Sequence, residues 1–245
     1  MSELFPAKSI AVEVIACTDP TREGEFNYWH DKLRIPELRK QDGIVDVYRY
    51  RDMQPDYGDE FKRFKAPAGG LSRYLTLYRI NDTDPWSVMQ RLWEKQRSDG
   101  LIDCAELLDL TVWEFCAYRH TVRRHEPQTR LPDGMPEAFF LYYSNNDPAQ
   151  KVAHDDWWLY THAHDLLETP GLLQCLRYQT ANPEPAEREA RILNIYEIDD
   201  DDPAGVLLRV LQDDRDVRLP QGRFSSFSRP GDWHGSGLYR HWDLM

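Results

Sequence analysis

The stretch "NYWHDKLRIPELRKQDGIVDVYRY" (27–50) returns later in the chain as "DDWWLYTHAHDLLETPGLLQCLRY" (155–178). At a constant offset of 128 the two match at Trp29/Trp157, Leu38/Leu166, Gly43/Gly171, Arg49/Arg177 and Tyr50/Tyr178, with Glu37 facing Asp165. One difference carries chemistry: His162 of the second stretch stands where the first has Arg34. The repeat extends on both sides. "TDP" (18–20) and "NDP" (146–148) keep the offset, "YRINDTDP" (78–85) matches "YEIDDDDP" (196–203) at an offset of 118, and "YRH" recurs at 118–120 and 239–241. The ten-residue change is a longer loop in the first copy, around "DMQPDYGDEFKRFKAPAGG". A period near 120 residues is too long for a solenoid and fits duplicated domains.

Each copy has the same order of elements. "IAVEVIAC" (10–17) and "AFFLYYS" (138–144) are β-rich and read as strands. Asp19-Pro20 and Asp147-Pro148 start helices, since Asp caps and Pro is tolerated in the first turn. Over 22–40, Phe26, Trp29, Leu33 and Leu38 are spaced as one buried stripe, and Gly43 and Gly171 end the helices. Strands are expected at 44–51 and 172–179, then 72–80 and 191–198. A second helix follows Asp84-Pro85 and Asp202-Pro203, and a last strand lies near 111–119 and 236–243. The expected class is α+β: two ferredoxin-like β-α-β-β-α-β repeats, 1–122 and 138–245, joined by a Pro-rich, charged linker at 123–137. Each sheet has one face that its helices do not cover, so the repeats are expected to pack sheet-to-sheet.

With 245 residues and 41% hydrophobic content, the chain can bury a substantial core. A net charge of −12 argues against a nucleic-acid surface. The N-terminal "MSELFPAKSI" lacks the layout of a secretory signal, and no run approaches a membrane span. Cys17, Cys104, Cys116 and Cys175 have no C-x-x-C spacing, which points to neither zinc nor a disulfide framework and to a cytoplasmic home. No P-loop and no nucleophile elbow is present.

The helix "FNYWHDKLRIPEL" with "DGIVDVYRYR" after it, and "HDDWWLYTHAHDL" with "PGLLQCLRYQ", are similar to the EthD-like branch of the dimeric α/β-barrel superfamily. There the pattern is F-N-x-W-Y-x-x-x-H-x-P-E-L, then P-G and a strand ending R-Y-R. The resemblance covers most of the chain. It implies that the halves form within one chain the α/β barrel that relatives build from two subunits; a further homodimer through other surfaces is compatible with it. The superfamily includes cyclases, isomerases, dehydratases, haem-degrading monooxygenases and quinol oxygenases, so fold does not fix the reaction. The family's helix His falls on His162 in the second copy and on Arg34 in the first, while His164 replaces the motif Pro.

His162 is therefore the candidate general base or acid, with Asp165 three residues on to orient it. A hydrogen bond at the edge of a helix face is the plainer alternative for His162. Arg34 with Glu37 would be a permanent ion pair, structural or anion-anchoring. His30 lies nearly in line with Arg34 and either enters a pocket or flanks it. Tyr50, Tyr178 and Tyr239 end strands and can donate to a carbonyl or phenolate, or fill core. In "RPGDWHGSGLYRHW" (229–242), His234 aligns with Trp113 and is a candidate second acid/base. Trp157 and Trp158 flank the candidate His and would line a pocket for a small aromatic or hydrophobic substrate. The expected activity is a cofactor-independent lyase or isomerase, with no metal, acting on an aromatic or polyketide-like molecule. A haem-dependent or cofactor-free oxygenase, or a non-catalytic binding protein, is the alternative.

Overall fold

A computed structural model describes residues 8–53, 73–99, 103–115, 120–121, 135–144, 148–183, 192–223 and 233–243. The strands are β1 (Ser9–Cys17), β2 (Ile44–Asp52), β3 (Arg73–Ile80), β4 (Ala105–Phe115), the short β5 (His120–Thr121), β6 (Ala138–Ser144), β7 (Leu172–Thr180), β8 (Ile192–Ile198) and β9 (Trp233–His241). The last strands lie a few residues earlier than expected. Helix α1 runs through four segments of changing pitch, Pro20–Arg22, Glu23–Tyr28, a π segment Trp29–Arg34, and Ile35–Leu38. Helix α2 is Pro85–Asp99. Helix α3 repeats the plan of α1, with Pro148–Gln150, Lys151–Trp157, a π segment Trp158–His162, and Ala163–Leu167. Helix α4 is Pro203–Asp213 and continues as a π turn, Asp214–Arg218.

The starts and stops follow local chemistry. The side chains of Asp19, Asp84 and Asp202 accept from the amides of Thr21, Ser87 and Gly205 at 2.9–3.0 Å, each just ahead of a helical turn. After α1 and α3 the chain turns at Gly43 and Gly171, whose φ values of 87° and 96° suit glycine. A Cβ at Gly171 would lie 2.6 Å from Val206 Cγ2 of α4, so this glycine also lets the two helices approach.

The strands form a closed antiparallel ring of eight, in the order β4-β1-β3-β2-β9-β6-β8-β7, with β7 pairing back to β4. Two seams join the halves. At one, Tyr50, Arg51 and Asp52 face His241, Arg240 and Tyr239; at the other, Trp113, Glu114 and Phe115 face Thr180, Gln179 and Tyr178. Closure pairs every edge strand of the ring and leaves none open. The expected meeting of sheet faces thus takes the form of one continuous barrel wall.

Alternation along the strands sends one side chain set inward. Val12, Tyr50, Leu75 and Trp113 from the first half meet Phe139, Leu176, Tyr178 and Tyr239 from the second in a single buried interior. Phe139 bridges the halves, with its ring centre 4.7 Å from Tyr50 and 5.7 Å from Tyr239. The other side chain set points outward, under the helices. In register across three strands these are Glu13, Thr76 and Arg49 in the first half, and Tyr142, Asn194 and Arg177 in the second.

A shared interior makes the barrel one cooperative unit. Phe139→Ala should lower stability by about 3–5 kcal/mol, the usual cost of emptying a buried aromatic site. Urea unfolding followed by fluorescence and by circular dichroism should keep a single coincident transition; two separate transitions would contradict a shared core.

Candidate functional site

The buried face of α1 is not the one that its apolar residues suggest. Phe26, Asn27, His30, Asp31, Arg34, Ile35 and Leu38 are buried, whereas Leu33 is 54% exposed. Burial recurs every fourth residue because the π segment widens the turn and brings residues four apart into line. This places polar and charged groups against the outer wall of the sheet.

They form one connected network. Arg34 donates to Glu13 at 2.6 Å and to Tyr78 at 3.5 Å, and Tyr78 donates to the other Glu13 oxygen at 2.7 Å. His30 Nε2 lies 3.1 Å from Thr76 Oγ1 and 3.2 Å from Arg34. Arg49 donates to Asp31 at 2.6 Å and to Asn27 at 2.7 Å, and its guanidinium lies 4.0 Å above the Tyr74 ring. Burial alone would raise the Glu13 pKa, but Arg34 and Tyr78 hold it below the ordinary carboxylate value. Burial pushes His30 down to about 4, against the pull of Asp31 and with help from Arg49 and Arg34.

The second half uses the same positions with different residues. Arg177 Nη2 lies 2.8 Å from both His154 Nδ1 and an Asp155 oxygen, and its guanidinium sits 5.2 Å from the Trp158 ring centre. His162, half-buried, stacks on Trp157 at 4.8 Å, and its Nε2 lies 3.3 Å from Tyr196 Oη. This pair is the counterpart of Arg34 and Tyr78. Burial pushes His162 down to about 3, with Arg218, Arg177 and His154 adding to it, and burial with Arg177 takes His154 to about 4. Tyr196 is raised well above its usual value by burial and by Tyr142. Segment 214–223 packs over α3: Arg218 donates to Asp214 and to the Asp165 carbonyl, both at 2.6 Å, and the Trp157 indole donates to the Arg223 carbonyl at 3.0 Å.

Several sequence expectations change against this geometry. Asp165 does not orient His162; its carboxylate accepts from Arg223 at 2.9 Å, since the wide turn rotates position 165 toward segment 214–223. Arg34 does not pair with Glu37, which is exposed and binds Lys40 at 2.5 Å. His30 is fully buried and flanks nothing. Tyr50, Tyr178 and Tyr239 belong to the barrel interior, so the sheet separates them from His162 on the outer side. Trp158 is fully buried in the outer layer and Trp157 partly so. His234 lies on β9, and its side chain is outside the described residues. Arg49, Arg177, Tyr78, Tyr196, Glu13, Asp31 and His154 were not foreseen. The one available signal was an arginine in mid-strand, matched in both copies.

Among the described residues no group of three or more His, Cys, Asp or Glu side chains is placed to hold a metal. Neither His162 nor His30 is placed as an open ligand for the haem that one oxygenase reading requires. Nε2 of His162 already faces the Tyr196 hydroxyl with the ring stacked on Trp157, and Nε2 of His30 is taken by Thr76 and Arg34.

No protein-family model matches the chain, and no curated protein sequence matches it. Solved structures do. A protein described as a candidate monooxygenase, from Fusobacterium nucleatum subsp. nucleatum ATCC 25586, is 10% identical with a TM-score of 0.52, over 98% of this chain and 94% of that one. An anthrone oxidase-like protein is 13% identical with a TM-score of 0.56, over 97% and 93%. A mutant chlorite dismutase from Candidatus Nitrospira defluvii, in complex with cyanide, is 10% identical with a TM-score of 0.57, over 98% and 93%. The likeness is one of fold, the antiparallel barrel with its outer helices.

Two outcomes follow from the buried charges. Arg34→Ala, which strands Glu13 inside, should cost about 3–5 kcal/mol, and the double change Glu13→Gln with Arg34→Met markedly less; chemical denaturation of both variants checks this. The three histidines share one pH dependence. Unfolded, they take up protons near pH 6.5; folded, only near 4 or below. Between those limits the unfolded state binds more protons, so stability should fall as pH drops from about 6.5 toward 4. Melting temperatures across that window, with His30→Phe flattening part of the slope, measure it.

Proposed function

We propose that the chain is a cofactor-independent oxygenase of a small hydroxylated aromatic molecule, bound against α3 in the second half. The observation that carries this is the placement of His162, stacked on Trp157 with Nε2 3.3 Å from Tyr196 Oη. Burial and the nearby Arg218 and Arg177 lower its pKa, which disfavours proton abstraction at neutral pH by that imidazole. The environment suits another task. Arg218 and Arg177 act on His162 as positive charges, and the same field favours an ionised hydroxyl on a substrate lodged beside it. Neutral His162 and Tyr196 would hold that substrate by hydrogen bonds.

An ionised, electron-rich ring can reduce O2 directly. One electron passes to O2, the ring radical and superoxide combine at carbon, and loss of water leaves a carbonyl. In balance, a ring CH2 of the keto tautomer plus O2 gives C=O plus H2O. The monooxygenase and anthrone oxidase names among proteins of this fold agree with such chemistry. The finer ancestry belongs to the same proposal: a tandem duplication of an EthD-like, ferredoxin-like unit with halves 1–122 and 138–245. Its support is the paired positions Arg49/Arg177 and Arg34/His162, and the order β-α-β-β-α-β in each half. The linker 123–137 lies mostly outside the described residues.

The test is oxygen uptake by chelator-treated protein given 1-naphthol. Uptake should need no haemin, and haemin titration should give no histidine-ligated Soret band. His162→Ala should lower kcat/KM roughly 10–100-fold, the worth of a hydrogen bond to a charged group. Arg34→Ala should act on stability and leave kcat/KM of the folded fraction nearly unchanged. No uptake with any phenolic substrate, or uptake only with haemin, would sink the proposal.

A further inference from the structure

The Tyr196 hydroxyl meets three partners and has one proton to give. It accepts from the Trp158 indole N–H, is hydrogen-bonded to the Tyr142 hydroxyl, and lies 3.3 Å from His162 Nε2. The rings of Tyr142 and Tyr196 stack at 5.7 Å. An indole only donates, so Trp158 uses one lone pair of the Tyr196 oxygen and leaves the other lone pair and the proton. Two arrangements then satisfy the cluster. In one, Tyr196 donates to His162 Nε2, Tyr142 donates to Tyr196, and the neutral imidazole carries its proton on Nδ1. In the other, Nε2 carries the proton and donates to Tyr196, which donates to Tyr142. The first half has no such choice. Arg34 and Tyr78 stand at the positions of His162 and Tyr196, and Glu13 at that of Tyr142. A guanidinium only donates and a carboxylate only accepts, so Tyr78 must donate to Glu13 and the order from Arg34 to Glu13 is fixed.

Passage of one proton along the chain turns the first arrangement into the second. Nε2 takes the Tyr196 proton, Tyr196 takes that of Tyr142, one enters from water at Tyr142 and one leaves from Nδ1, so every group ends neutral. Tyr142 and His162 are half-buried and Tyr196 between them is buried, so the ends of the chain lie nearer to water than its middle. We propose that Tyr142, Tyr196 and His162 form a reversible proton relay, in which Tyr142 is a positioning residue that sets, through Tyr196, which nitrogen of His162 carries the proton. The imidazole can thereby give and take protons without resting as an imidazolium, the form that its burial disfavours. The consequence for turnover rests on the reading of the α3 face as the substrate site. Loss of water from a ring hydroperoxide removes one proton from carbon, breaks the O–O bond and returns one proton to the departing hydroxide. A relay that runs in both directions serves both transfers. A substrate oxygen that accepts from Tyr196 draws on the same single proton, and Tyr142 then turns to donate.

The experiment is 15N NMR at neutral pH on protein labelled at the histidine ring nitrogens, with the His162 signals identified by their absence in His162→Ala. In the wild type both His162 nitrogens should resonate between the protonated and unprotonated limits, because both tautomers are populated. Tyr142→Phe keeps the stacked ring and removes the hydroxyl. Tyr196 then has His162 Nε2 as its acceptor, and the imidazole should settle with its proton on Nδ1, while the His30 signals stay in place. A single tautomer or an imidazolium in the wild type overturns the proposal without any variant, and so do His162 shifts that Tyr142→Phe leaves unchanged. In oxygen uptake with 1-naphthol, kcat of Tyr142→Phe should fall about tenfold with KM unchanged. A proton inventory in mixtures of H2O and D2O should change from curved to straight; an unchanged kcat and inventory would overturn the part of the relay in turnover. Coupled tautomers with no oxygen uptake would leave this inference standing and defeat the oxygenase reading; uptake by a protein whose His162 keeps one tautomer would do the reverse.

Discussion

A cation in the middle of a strand, under a helix, constrains everything around it. Arg49 and Arg177 are almost completely buried, and an uncompensated guanidinium there would cost several kcal/mol. Each is compensated by the helix that crosses it. Asp31 and Asn27 fix the rotation of α1, and Asp155 and His154 that of α3. The rotation then decides which residues lie beneath each helix. In the first half the constraint reaches across the barrel seam as well. Trp242, just past β9, donates to Asp31 at 3.1 Å, and its ring lies 5.4 Å from the Arg49 guanidinium. The residue that follows β9 is thereby tied to α1 of the first half.

From one frame the halves diverge in chemistry. Under α1 the carboxylates of Glu13 and Asp31 answer the guanidinium groups of Arg34 and Arg49, and His30 and Thr76 close on each other. Such a network is rigid where it is satisfied and costly to disturb. Under α3 the carboxylate of Glu13 gives way to Tyr142, Arg34 to His162 and His30 to Trp158, which produces a stack of Phe140, Tyr142 and Tyr196 beside an imidazole. Aromatic surface with a few polar groups suits a small ring-shaped ligand better than a closed ionic network does. Thus a difference of residue type at shared positions separates an ionic cluster in the first half from an aromatic one in the second.

The features legible in the sequence were those with local causes. Asp before Pro, Gly after a helix, and β-branched runs each set a backbone conformation with little outside help, and the repeat at offsets of 128 and 118 announced that the same sequence of elements occurs twice. The mismatch of His162 with Arg34 also marked a position at which the two buried clusters differ. The buried face of α1 was misjudged because its residues are polar: Leu33 looks like core and is exposed, while His30, Asp31 and Arg34 look like surface and are buried. Hydrophobic periodicity carries no signal for a face held by ion pairs, nor for the wider turn that aligns residues four apart.

What the sequence determined by itself was the class of structure, α+β with two matched sets of elements, and the position on the helix where the copies part company. Tertiary structure alone decided how those parts meet. The strand ends of the two halves pair into one closed wall, so Tyr50, Tyr178 and Tyr239 enter a sealed interior while His162 stays outside it. Side chains one residue apart on a strand point to opposite faces, and only the registry between strands fixes which face is sealed. Nor could spacing supply the pKa of His162: burial and the distant Arg177 and Arg218 set it, and those arrive at the imidazole only when the chain is folded.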